Sequence, residues 1–106
     1  MKMVIIVVQD QDVHKLLNLL LEKGYSATKL ASTGGFLREG NTTLLMGVRD
    51  DKVGEVTEII RQTCQTRKQM MTPVSYLGRP FLAEPVEVTV GGATVFVLPV
   101  EEFVKV

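Results

Sequence analysis

Thr33-Gly34-Gly35-Phe36-Leu37 is the stretch of this 106-residue chain that looks most like part of a binding site. Its two glycines permit positive φ and let a backbone come close to another group. Thr28, Thr33, Asn41, Thr42 and Thr43 surround it in sequence with short neutral donors and acceptors, and Phe36 adds a flat apolar face. Neutral hydrogen bonds beside an aromatic platform suit a base or another planar ligand. An ordinary β-bulge or wide turn has the same composition, so the residues alone read as a small-molecule pocket or a turn. Neither a Walker loop nor the Rossmann glycine fingerprint is present.

The remaining reactive side chains do not converge. His14 lies off the apolar stripe of its segment and reads as exposed, with no Ser or Cys nucleophile matched to it. Cys64, the single cysteine, falls on an apolar helical face and reads as a small core residue. Asp10 and Asp12 could pair on a metal, but helix capping explains them at lower cost. Glu101 and Glu102 read as a solvated pair. No catalytic constellation, metal set or cofactor motif is expected, and so no enzyme.

Composition narrows the field further. Lys and Arg total 12, Asp and Glu total 12, and apolar residues make up 45% of the chain. A net charge of zero gives no broad electrostatic footprint for a nucleic-acid polymer. The longest apolar run, Met3 to Val8, is far below the roughly 20 residues of a membrane span. One cysteine forms no internal disulfide, and no signal-peptide pattern precedes the run. The expectation is one cytoplasmic domain over residues 1–106.

The elements that must position these residues follow from periodicity. Met3–Val8 is a β-branched strand. Val13, Leu16, Leu17, Leu20 and Leu21 make one stripe of a helix from about Asp12 to Lys23, capped by Asp10 or Asp12 and stopped at Gly24. Ser26–Ser32 and Thr42–Val48 read as strands. Asp50 is expected to cap a second helix carrying Val53, Val56, Ile59, Ile60 and Cys64. Met70–Val74 is a short extended piece, Ser75–Pro85 a loop, and Val86–Val90 with Ala93–Val100 a hairpin turned by Gly91-Gly92. Pro99 suits a strand end or edge. The order βαββαβ predicts an α+β, ferredoxin-like subunit with both helices on one face of an antiparallel sheet. Its strands are apolar on both faces, which predicts oligomerisation through the uncovered side.

Val8–Asp12, Ala27–Ala31, Thr33–Leu37, Gly40–Thr43 and Pro85–Val100 together resemble the PII-like cyclic-di-AMP receptor family through nearly the whole chain. Thr94–Glu102 is also similar to the last strand of the PII signalling proteins. The resemblance implies a homotrimer, a short loop between the second and third strands, and an enlarged loop over Gln65–Gly92. It implies cyclic-di-AMP bound between subunits, loop rearrangement on binding, and an unknown downstream protein. Position by position, Ala27 and Thr28 match residues near base and phosphate, and Gly35, Phe36 and Leu37 the loop around one adenine. Asn41 matches a polar base contact, Gly47 a close backbone approach, and Phe96 an apolar contact. Ser26 stands where the family commonly has Arg, and Lys105 where it commonly has Gln. Another adenine nucleotide, or a metal-binding ferredoxin-like trimer, are the alternatives. Tyr76, Arg79, Phe81 and Leu82 of the enlarged loop are the expected partner contacts.

Overall fold

The computed structural model describes residues 1–30, 40–71 and 86–106. Strands β1 (Lys2–Gln9), β2 (Thr28–Leu30) and β3 (Asn41–Val48) alternate with helix α1 (Asp10–Glu22). A 3-10 turn (Asp50–Lys52) leads into α2 (Val53–Cys64), and β4 (Arg67–Met71), β5 (Val86–Val90) and β6 (Ala93–Pro99) complete the described elements. The main sheet has the order β2-β3-β1-β6, and all its pairings are antiparallel. It is an α+β arrangement consistent with the ferredoxin-like prediction.

Period-two alternation gives the sheet two different faces. Val4, Ile6 and Val8 of β1, with Leu44, Met46 and Val48 of β3, point toward the helices and are buried. They meet Val13, Leu16 and Leu20 of α1 and Val56, Ile59, Ile60 and Cys64 of α2 in one core cluster. Each fully buried aliphatic side chain here contributes about 1.5–3 kcal/mol relative to exposure. Truncating Leu16, which has no exposed surface, would cost about 2–5 kcal/mol.

The α1 stripe is narrower than its spacing suggests. Leu21 is 69% exposed, and the core face runs through Val13, Leu16 and Leu20 with Leu17 and Leu19 partly covered beside it. The helix ends as expected: Gly24 adopts φ +89°, Tyr25 N–H donates to Leu20 O at 2.9 Å, and Gly24 N–H to Leu21 O at 3.0 Å. These are the paired bonds of a Schellman motif.

The capping expectations fail at both helix starts. Gln9 precedes α1 and Lys52 precedes α2, neither with a side-chain cap bond. Asp10 instead accepts from Thr42 Oγ1, and Asp12 is paired with Arg67. Asp50 begins the 3-10 turn and does not cap α2.

The second departure concerns the last third of the chain. β5 does not form a hairpin with β6. It pairs with β4 in a separate two-stranded ribbon, from Arg67↔Val90 to Met71↔Val86. β6 pairs instead with β1, starting at Val8↔Ala93. Gly91 and Gly92, both at positive φ, turn the chain out of the ribbon and into the main sheet. Among the described residues, no helix is long and apolar enough to cross a membrane.

Candidate ligand-binding site

The face of the main sheet away from the helices carries the candidate residues. Cross-strand partners share a face. Thr28 pairs with Leu45, Leu45 with Ile5, and Ile5 with Phe96, so these four form one row across the sheet. Alternation along β3 puts Asn41, Thr43 and Gly47 on that same face as Leu45. Thr28, Asn41, Gly47 and Phe96 therefore share one face of the sheet, although they come from three strands. Ala27 differs: its side chain packs against the core, leaving its backbone as the part that can meet a ligand. Gly35, Phe36 and Leu37 lie outside the described residues, as do Thr33, Tyr76, Arg79, Phe81 and Leu82.

Two open clefts divide this surface. One of about 450 Å³ is lined by Ser26, Thr28, Leu45 and Gly47, with Met3 and Phe103 at its sides. The other, of about 330 Å³, lies where Gln9 and Asn41 meet Gly91, Gly92 and Thr94. Asn41 and Gly47 are six residues apart on one strand, about 20 Å at the usual rise. No single base reaches both.

The chemistry of the face is neutral and apolar. Phe96 is 51% exposed, Leu98 43% and Met3 38%, with Ile5, Val7 and Leu45 half-buried between them. Thr43 Oγ1 is buried beside Val7 and Leu30 without a hydrogen-bond partner among the described residues. A Cβ added to Gly47 would meet only Met1 Sδ, at an ordinary 3.5 Å. Among the described residues, nothing requires glycine there.

The groups that could have carried other chemistry do not come together. The Cys64 thiol is pushed up to about 11, by burial first and by the Asp12 charge second. Such a thiol holds little thiolate near neutral pH and is a poor nucleophile. His14 is exposed on α1. Among the described residues, no three His, Cys, Asp or Glu side chains gather as a metal site.

A family model for the cyclic-di-AMP receptor matches residues 1–106, the whole chain. The chain belongs to the cyclic-di-AMP receptor family. A crystal structure of a functionally unknown protein from Pediococcus pentosaceus ATCC 25745 is 44% identical, with a TM-score of 0.80. The match covers 99% of this chain and 96% of the other. The two chains therefore share one fold over nearly their full lengths.

Sequence reasoning placed Thr28, Asn41, Gly47 and Phe96 in the site, and the sheet register brings them to one face. It did not single out Gln9 and Phe103, which line the two clefts beside them. Gln9 sits opposite Asn41 in the β1–β3 register. Its signal was available: it ends the first apolar run, in phase with the outward residues Ile5 and Val7. Phe103 carried no periodic signal, because it follows the last strand.

Proposed function

We propose that this receptor-family chain binds cyclic-di-AMP at the interfaces of a homotrimer and acts as a non-enzymatic signalling protein, one domain per subunit, in the cytoplasm. The observation that carries this reading is the division of the matched residues. Thr28 and Gly47 line one cleft and Asn41 another on the same face, too far apart for one base, so one chain supplies parts of a site that neighbours complete. The apolar sheet face supports the same conclusion. Met3, Ile5, Val7, Leu45, Phe96 and Leu98 form a band left open by the helices, of the kind that marks a protein contact.

The site's chemistry suits adenine. Asn41 supplies donors and an acceptor to base edges, Gly47 lets a backbone or base approach, and the unpartnered Thr43 hydroxyl gains a polar partner on assembly or binding. Phe36, carried from the family resemblance, would stack on a base. Signalling would pass through rearrangement of the loops flanking the site to a downstream protein of unknown identity, with the Gln65–Gly92 insertion as its contact surface.

A second ligand reading has its own observation. Ser26, standing where the family commonly has Arg, lines the cleft of Thr28 and Gly47. The missing cation would have faced phosphate there, so the fixed charge that would select a cyclic dinucleotide is absent and another adenine nucleotide is the second reading. Titration with cyclic-di-AMP, cyclic-di-GMP and ATP separates the readings. Tightest binding of cyclic-di-AMP supports the proposal, and tighter ATP binding overturns the ligand choice. The metal-binding alternative would require stoichiometric metal retained through dialysis.

A further inference from the structure

Two contacts hold the base of the β4–β5 ribbon to the core, and one of them ends in the Asn41 cleft. Arg67, the first residue of β4, donates from Nη2 to Asp12 Oδ1 at 2.7 Å and from Nη1 to Asp12 Oδ2 at 3.3 Å. The Asp12 side chain is only 4% exposed, and a carboxylate so buried depends on its partner cation. Arg67 Nη1 also donates to Gln65 O at 3.3 Å.

At the same end of the ribbon, just past Val90, the partner of Arg67, Gly91 N–H donates to Gln9 Oε1 at 2.7 Å. The Gly91 backbone is wedged against the first contact: a Cβ there would lie 2.5 Å from Gln65 O and 2.6 Å from Arg67 Nη1. Gly92 N–H donates to Cys64 O, so the turn is tied to the end of α2 as well. The two contacts are thus one joint, in which Arg67 and Gly91 touch and α1, α2 and β1 supply the anchors.

Gln9 is the member of this joint that also faces the ligand cleft. It lies opposite Asn41 and lines the same cavity as Asn41 and Gly91. Its amide has two characters: the oxygen accepts from Gly91, while the nitrogen is a donor that a ligand acceptor can use. We propose that Gln9 is a positioning residue that couples occupancy of the Asn41 cleft to the orientation of the β4–β5 ribbon, with the Asp12–Arg67 pair as the fixed pivot. A ligand that engages the amide nitrogen or displaces the side chain changes the bond holding Gly91, and the ribbon responds. The ligand in this inference is that of the proposed function.

Amide hydrogen exchange on Arg67–Met71 and Val86–Val90, with and without saturating cyclic-di-AMP, tests it in wild type, Gln9→Met and Gln9→Glu. In wild type, ligand should change ribbon exchange by roughly fivefold, about what one hydrogen bond is worth. Gln9→Met, compared at its own saturating cyclic-di-AMP concentration, should lose this response, while Gln9→Glu, which keeps an acceptor for Gly91, should hold the unliganded ribbon as wild type does. Exchange in β1 and β3 serves as the control for intact folding. A ligand response retained in Gln9→Met, or absent in wild type that binds, overturns the coupling. If wild type binds no cyclic-di-AMP, the ligand assignment fails, and the unliganded comparison decides the joint by itself. Ribbon exchange equal in wild type and Gln9→Met would overturn it.

Discussion

Thr28 and Phe96 stand on the two edge strands of the main sheet yet belong to one row, joined through Leu45 and Ile5. Three strand spacings separate them, about 14 Å. The space between is filled by apolar side chains that the helices do not cover. A single chain thus shows a polar residue and an aromatic one on opposite rims of an apolar strip.

Phe96→Ala tests what covers that strip. Because Phe96 is half exposed in one chain, truncation should change the stability of an isolated subunit by less than about 1 kcal/mol. At the centre of a subunit contact the same change should weaken association by about 2 kcal/mol or more. Sedimentation across a concentration series, with wild type near three times the 11.7 kDa chain mass, reads the difference. A variant that assembles as wild type does would remove Phe96 from the interface.

Asn41→Ala should lower nucleotide affinity by about 1–3 kcal/mol, the cost of leaving base-edge groups unpaired. Phe36→Ala should cost a similar roughly 1–3 kcal/mol through lost stacking. Melting temperature and binding constant measured on the same variants separate a binding role from a packing role. Lost thermal stability with unchanged affinity would make both residues structural.

Gly47→Val has space among the described residues, where only Met1 Sδ lies near the added carbon. Valine also suits a strand. The variant should therefore melt at or above the wild-type temperature while binding at least tenfold more weakly, which is about 1.4 kcal/mol. Unchanged binding would show that nothing approaches this position closely.

Tyr25 provides a pH signature at the helix side. Its hydroxyl donates to Glu55 Oε2 at 2.6 Å. That bond to the carboxylate, then partial burial and the negative charges of Glu55 and Asp51, push the phenol from 10.0 up to about 12. A raised folded-state value means the bond's contribution is complete below about pH 10 and is lost as pH climbs toward 12. Phenolate absorbance of wild type minus Tyr25→Phe should rise near pH 12. A rise near pH 10 would mean the hydrogen bond is not held in solution.

The parts of the fold set by local periodicity were legible in the sequence. The β1 run, the α1 stripe with its Gly24 stop, and the α2 face all emerged from spacing. What local pattern could not show was which strand pairs with which. Val86–Val90, Gly91-Gly92 and Ala93–Val100 read as a hairpin because their turn chemistry is right. β6 takes the free edge of β1 instead, a contact of high sequence separation, and β5 pairs back with β4. Asp12 and Asp10 looked like caps for a related reason: their partners, Arg67 and Thr42, are 55 and 32 residues away. The four candidate residues in described strands came from the family resemblance, and the register puts them on one face. Gln9's second role depends on Gly91, 82 residues on, and could be seen only in the fold.

The central claim is that this chain binds cyclic-di-AMP at sites completed by neighbouring subunits. Calorimetric titration of the assembled wild-type protein tests it most directly. The account predicts saturable binding of one cyclic-di-AMP per chain, tighter than ATP under the same conditions. No saturable binding of cyclic-di-AMP, or tighter binding of ATP, would contradict it.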